Sequence, residues 1–173
     1  MIRRATQTDI PQLMNLLLQV NMVHHHARPD LFRPGTTKYS EQELADMLKD
    51  ENNPIFVYEE KTVLGYAFCR IKKVENDRLF QDCKTLYIDD LCVDEVSRGK
   101  HIGKALFNFA QQYAREVGCY NVTLNVWGGN DSAIRFYQAI GMHIQKIGME
   151  IVLAEKRNET NLRFYSKTNL KLK

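Results

Sequence analysis

Proline is scarce, at 4 residues in 173, and glycine is limited to 9, which excludes collagen-like and low-complexity classes. Cysteine is sparse too: Cys69, Cys83, Cys92 and Cys119 form no C-x-x-C pair and no metal-finger spacing. Neither a disulfide framework nor a metal site is therefore expected to organise the chain, and reduced thiols point to a cytoplasmic setting. A long apolar run is missing. The longest stretch without charge, residues 10–27, contains Gln12, Asn15, Gln19, Asn21 and three histidines, which suits neither a membrane span nor a signal peptide. Strong charge of one sign is missing as well, and a net charge of +3 does not mark a nucleic-acid binder. The small excess is local: Lys156, Arg157, Arg163, Lys167, Lys171 and Lys173 outnumber Glu155 and Glu159 in the last segment. Residues 1–153 are within one charge of neutral, so a near-neutral body precedes a basic tail, 154–173.

What is present is a globular composition, with 44% hydrophobic and 26% charged residues, in a length suited to one domain. Residues 2–5 read as a short strand. A helix follows, capped at Thr8 or Asp9, with Pro11 in its first turn and apolar residues around more than half its girth. Residues 23–39, with His24-His25-His26, two prolines and Gly35, read as a loop, and Ser40-Glu41-Gln42-Glu43 is a capping box opening a second helix. Residues 55–58 and 62–72 pair as a hairpin, and 85–93 form a third long strand. The clearest helix carries Ile102, Ala105, Leu106, Phe109, Ala110, Tyr113 and Val117 at helical spacing, with Gly118 beyond its end. A strand over 121–127, a short helix over 132–140 and a last strand over 143–153 complete the order. The expectation is an α+β domain over 1–153, with a mixed, mostly antiparallel sheet and helices on both faces. Strands 85–93 and 121–127, joined by a right-handed crossover, should be parallel and hold a ligand between their carboxyl ends.

Three features carry chemistry. Between a strand end and a helix start lies Arg98-Gly99-Lys100-His101-Ile102-Gly103-Lys104, where unpaired N–H groups, the helix dipole and three cations favour a phosphate; the same residues also fit a solvated basic turn. Asp89-Asp90 interrupts an apolar strand, where carboxylates are costly to bury unpaired. As neighbours on a strand the two are expected to point to opposite faces, so they cannot share one task. Tyr137 offers a phenol of pKa ~10, able to protonate a departing thiolate, although Phe136-Tyr137 would equally pack a helix.

These pieces form a wider pattern: Tyr87-Ile88-Asp89-Asp90-Leu91-Cys92-Val93, the loop Arg98 to Lys104, Leu124-Asn125-Val126-Trp127, and Asn130-Asp131-Ser132-Ala133-Ile134-Arg135-Phe136-Tyr137. Over residues 1–153 the chain resembles the GNAT superfamily of acetyl-CoA-dependent N-acetyltransferases. Its pyrophosphate-loop pattern, Gln/Arg-x-x-Gly-x-Gly/Ala, falls on residues 96–101. Gly99 is retained, while Val96 and His101 depart from it.

The resemblance implies acetyl-CoA as co-substrate. Backbone groups of Leu91, Cys92 and Val93 would hold the pantetheine arm, Arg98, Gly99, Lys100, His101, Ile102, Gly103 and Lys104 the pyrophosphate, and Asn130 the coenzyme from the other side. Tyr137 would stand near the thioester sulfur. Asp89 occupies the glutamate position of a Tyr-Leu-Glu-Asp strand found in members that act on amines, which makes it the expected proton acceptor, directly or through water, or the group that binds the amine; a structural hydrogen bond is expected for Asp90. Asn125 and Trp127 on one strand face, and His25 in the loop, are candidates to meet the acceptor amine. Consecutive histidines lack the i,i+4 spacing of helical metal ligands, so no metal is expected. The partner is an amine substrate; a homodimer fits a basic tail exchanged between subunits, and the short tail argues against nucleic acid. The rival reading is a CoA-binding module without catalysis whose tail engages a partner.

Overall fold

A computed structural model describes residues 1–153; the basic tail lies outside the described residues. Five strands form one sheet in the order β1-β2-β3-β4-β5, namely β1 (Ile2–Arg4), β2 (Ile55–Glu59), β3 (Val63–Val74), β4 (Cys83–Val93) and β5 (Asn121–Leu124). The first four are antiparallel neighbours, whereas β5 runs parallel to β4. Helix α3 (Ile102–Glu116) makes the crossover between them. The α+β class and the parallel pair are thus as expected from the sequence.

Helices cover both faces. On one, α1 (Ile10–Ala27) buries Leu13, Leu16 and Leu17, and α2 (Glu41–Met47) buries Leu44 over Ile55, Val57, Tyr66 and Phe68. The expected capping box opens α2: Ser40 Oγ accepts from the Glu43 N–H, and the Glu43 carboxylate accepts from the Ser40 N–H. On the other face α3 buries Ile102, Leu106, Phe107, Ala110 and Ala114, one stripe at helical spacing. Helix α4 (Asp131–Ala139) adds Tyr137 and then Ile140 beside them. The close seat of α3 depends on Gly65 in β3. A Cβ there would lie 2.8 Å from the Cys92 carbonyl oxygen and 3.2 Å from Leu106 Cδ1.

Four local expectations are corrected. Helix α1 runs on through His24, His25 and His26 to Ala27, so the histidines form its last turn instead of a loop; nothing in them stops a helix until Pro29, which disfavours the helical region for the residue before it. Strand β5 ends at Leu124, so Asn125 and Trp127 do not lie on a strand face. Residues 143–153 have no ladder partner among the described residues. Finally, Asp89 and Asp90 do not point to opposite faces. Phe68 stands opposite Asp90 and Cys69 opposite Ile88, which leaves Asp89 as the extra residue of a bulge. The bulge resets the alternation of β4. Leu86 and Ile88 pack with α3, whereas Cys92 packs with α1 and Asp90 bonds Tyr66 of that same cluster.

Candidate active site

β5 pairs with β4 only from Thr85 to Ile88, so beyond Asp89 the two strands part. The Asp94 N–H donates to Leu64 O. By the alternation of an antiparallel ladder, Cys92 and Asp90 also turn their backbone groups to β3. The backbone groups of Leu91 and Val93 therefore line the edge that β5 vacates, and the Val93 carbonyl accepts from Arg98 Nε at 3.3 Å. This is the cleft expected between the parallel strands. It arises because the bulge and the end of β5 fall at the same level.

The start of α3 closes one end of the cleft. Ala105 is the first residue whose N–H bonds back into the helix, to His101 O at 3.0 Å. The N–H groups of Ile102, Gly103 and Lys104 consequently face out of the helix end, where the dipole favours an anion. Arg98, Lys100 and Lys104 are exposed around it. Gly99 (φ +82°) and His101 (φ +60°) both take left-handed backbone, a conformation costly for any residue but glycine. His101 thus stands, strained, where the family pattern has a small residue. A residue missed in the sequence, Gln19 of α1, fastens this loop: its Nε2 donates to Asp94 Oδ1 and its Oε1 accepts from the Glu95 N–H.

Two carboxylates sit beside the opening in different states. Asp89 would be raised by burial, but Lys38 Nζ at 2.6 Å and the Tyr39 hydroxyl at 2.7 Å prevail and hold it below the usual carboxylate range. Asp90 is the reverse. Burial pushes it up to about 6, although Tyr66 donates a hydrogen bond to it at 2.9 Å and Lys38 opposes the rise. Tyr39 and Tyr66 both rest on Phe68, with ring centroids 5.7 and 4.7 Å away. Lys38, Tyr39 and Tyr66 carry no motif, and only the fold brings them to the aspartates.

From the α4 side, burial and then the negative charge of Asp90 hold the Tyr137 phenol above its ordinary value, so it stays protonated. Its ring packs against Phe136 and Phe107. Asn130 caps α4 through Oδ1, which accepts from the Ala133 N–H at 3.2 Å and Ser132 Oγ at 3.0 Å; its side chain has a structural task whatever else it touches. Burial, then Asp90, pushes the Cys92 thiol up to about 12, which suits packing and not nucleophilic attack.

His25 and Trp127 join a wall made by the end of α1, the segment after it and the segment after β5. Phe32 stacks on His24 and meets Trp127 edge-on, with centroids 5.1 and 5.3 Å apart. The Phe32 carbonyl bonds His25 Nδ1 at 2.7 Å, and the Arg28 guanidinium lies 5.9 Å from the Trp127 ring. Trp127 keeps 42% of its surface exposed, whereas Asn125 Nδ2 donates to the Tyr87 hydroxyl. On the far side of Tyr39 an open depression of about 420 Å³ is lined by Glu43, Asp46, Asp50 and Arg70 among others. No three His, Cys, Asp or Glu side chains gather as metal ligands among the described residues, and no helix there is long and apolar enough to cross a membrane.

Comparison with known proteins matches residues 20–142 to the Acetyltransferase (GNAT) family. The chain is 31% identical over 99 residues to glucosamine 6-phosphate N-acetyltransferase of Arabidopsis thaliana, covering 57% of this chain and 64% of that protein. It is 25% identical over 147 residues to an uncharacterized N-acetyltransferase of Methanocaldococcus jannaschii, covering 84% of this chain and 62% of that one. The chain therefore spans a little under two thirds of the length of these curated relatives. Among solved structures, a mutant of the BH1408 protein from Bacillus halodurans superposes with TM-score 0.85 at 30% identity, over 89% of this chain and 99% of that one. An aminoglycoside acetyltransferase from an uncultured soil metagenomic sample, in complex with sisomicin, shares the fold with TM-score 0.67 at 20% identity, over 90% and 96% of the two chains.

Proposed function

Because this chain belongs to the GNAT acetyltransferase family, we propose that it transfers the acetyl group of acetyl-CoA to a primary amine by direct attack within a ternary complex. The observation that carries the proposal is the end of β4–β5 pairing at Ile88, directly before the bulged Asp89 and its neighbour Asp90. That opening has the α3 N-terminus at one end and the half-buried Tyr137 at its side.

In this reading Leu91 and Val93 hold the pantetheine arm through backbone groups, and the N–H groups of Ile102, Gly103 and Lys104, with Arg98 and Lys100, hold the pyrophosphate. The N–H groups on the open edge of β4 polarise the thioester carbonyl. An ammonium substrate must lose a proton before it attacks, and of the two aspartates Asp90 is the better acceptor. A carboxylate at about 6 retains a proton more readily than one already holding Lys38 and Tyr39. Asp89, expected from the sequence to accept the proton or bind the amine, is assigned here to attracting the amine and to placing Lys38 and Tyr39. Tyr137, held protonated, gives its proton to the departing CoA thiolate.

The acceptor we favour is a small cationic amine approaching over Trp127, whose exposed face suits cation–π contact. Amino sugars, aminoglycosides, polyamines and protein amines compose the panel to be tried. The four unpaired thiols agree with a cytoplasmic setting. Thiol release from acetyl-CoA should appear with at least one amine of the panel. CoA binding without release for any amine would favour the rival reading of a binding module.

A further inference from the structure

A primary amine already occupies the place that the proposed reaction reserves for its acceptor. Lys38 Nζ lies 2.6 Å from Asp89 Oδ2, the oxygen that also accepts from the Tyr39 hydroxyl at 2.7 Å. The Asp89 side chain is 15% exposed and that of Lys38 46%, so the ammonium covers the carboxylate while staying half open to solvent. An ion pair so open is weak and yields readily to a competitor or to loss of a proton.

Lys38 does not reach Asp89 as a loose surface side chain. On one side Tyr39 stacks on Phe68 with centroids 5.7 Å apart, and Thr37 Oγ1 donates to the Tyr39 carbonyl at 2.9 Å. Two positions on, Ser40 opens the capping box of α2. The backbone that carries Lys38 is therefore fixed beside the aspartates. Asp90 also feels its charge, which opposes the rise of that carboxyl, so the proposed base lies within electrostatic range of Nζ. Among the described residues no other lysine is ion-paired with either aspartate; Lys49 pairs instead with Asp46 on α2.

We propose that Lys38 is an acceptor built into the chain and the site of its self-acetylation, a step that rests on the acetyl transfer proposed above. Nζ gives one proton to Asp90, and its freed lone pair attacks the thioester carbonyl carbon of acetyl-CoA. A C–N bond forms and the C–S bond breaks. Tyr137 protonates the departing thiolate, and the second proton lost by the nitrogen replaces the one Tyr137 gave. The products are Nε-acetyl-Lys38, CoA and the proton that Asp90 passes to water. The amide is uncharged and cannot hold the ion pair. One turnover per chain thus removes the internal amine and frees Asp89 for the ammonium of an external acceptor.

Intact mass and peptide fragmentation of the full chain, as purified and after incubation with acetyl-CoA alone, test this. The expected result is a gain of one acetyl group, on Lys38, at a rate independent of protein concentration, as transfer within one chain requires. Lys38→Arg keeps a cation for Asp89 but offers no nucleophile, because its guanidinium stays protonated, and the gain should be lost. Lys49→Arg should retain it. An unmodified Lys38 would overturn the proposal. So would acetylation of Lys38 and Lys49 at equal rates, the mark of unassisted chemistry at the surface. Amine-dependent thiol release beside an unmodified Lys38 would refute self-acetylation alone, whereas absence of both would remove the proposed acetyl transfer as well.

Discussion

The hydroxyl of Tyr66 donates to the carboxylate of Asp90 across 2.9 Å, yet this bond does not make Asp90 an ordinary ionised aspartate. Burial outweighs it and leaves the carboxyl at about 6. The balance is one of solvation. A single neutral donor returns only part of what water supplied to the anion.

The first prediction concerns that group. A base must be ionised to act, so kcat/KM should rise with pH through about 6. Asp90→Asn should abolish this limb and lower turnover by roughly 10²–10⁴-fold. Stability should move the other way. The folded value lies above the unfolded ~3.9, so the cost of ionisation is absent below that value, grows between the two and is complete above the folded one. Asp90→Asn should therefore raise stability at neutral pH by roughly 3 kcal/mol and leave it unchanged in acid. Urea titrations at the two extremes measure this, and an unchanged pH–rate profile would remove Asp90 as the base.

Asp89 should respond differently. Asp89→Ala frees Lys38 and the Tyr39 hydroxyl, leaving a cation where an amine is to approach. KM for the amine should rise about tenfold or more while the acid limb at Asp90 persists. Loss of the limb in Asp89→Ala, with the limb retained in Asp90→Asn, would reverse the two roles.

Tyr137→Phe removes a proton donor and keeps the ring that packs on Phe107 and Phe136. Turnover should fall by roughly 10²-fold, with CoA affinity by calorimetry and the melting temperature nearly unchanged. Equal turnover would take the phenol out of the mechanism.

His101→Gly should relieve the left-handed strain at φ +60°. A gain of about 1 kcal/mol in unfolding free energy is expected, and thermal denaturation would detect it. A loss would mean that the imidazole makes a stabilising contact that outweighs the strain.

Gly65→Ala places a methyl 2.8 Å from a backbone carbonyl, an atom that cannot swing aside. A loss of about 1–3 kcal/mol is expected, together with weaker CoA binding, since α3 must lift from the sheet and carries the anion site with it. Wild-type stability would show that the backbone of β4 yields at no cost.

Much of this was legible in the residues. Ser40 and Glu43 announce a helix start through bonds that each can make with the other's backbone. Ile102 to Ala114 repeat at the spacing of one helical face, and a glycine-containing basic loop before them marks the proposed anion site. The bulge at Asp89 was not legible, because an inserted residue shows only against the register of β3. For the same reason strict alternation put the two aspartates on opposite faces. Lys38 and Tyr39 reach Asp89 from fifty-odd positions away, along a loop whose path no local pattern dictates. His24 to His26 misled because histidine neither favours nor ends a helix strongly, so the stop came from Pro29. The alternation from Ile147 to Leu153 does declare a strand, but a strand also needs an edge, and none is supplied beside it within the described residues.

Phe68 lies beneath both Tyr39 and Tyr66, and this shared floor links the two aspartates. Tyr39 bonds Asp89, and Tyr66 bonds the proposed base. The side chain that seats Tyr39, the partner of Asp89, thus also seats Tyr66, the partner of Asp90. Two carboxylates of opposite proton affinity are braced by one ring, so a change of volume at Phe68 reaches both at once.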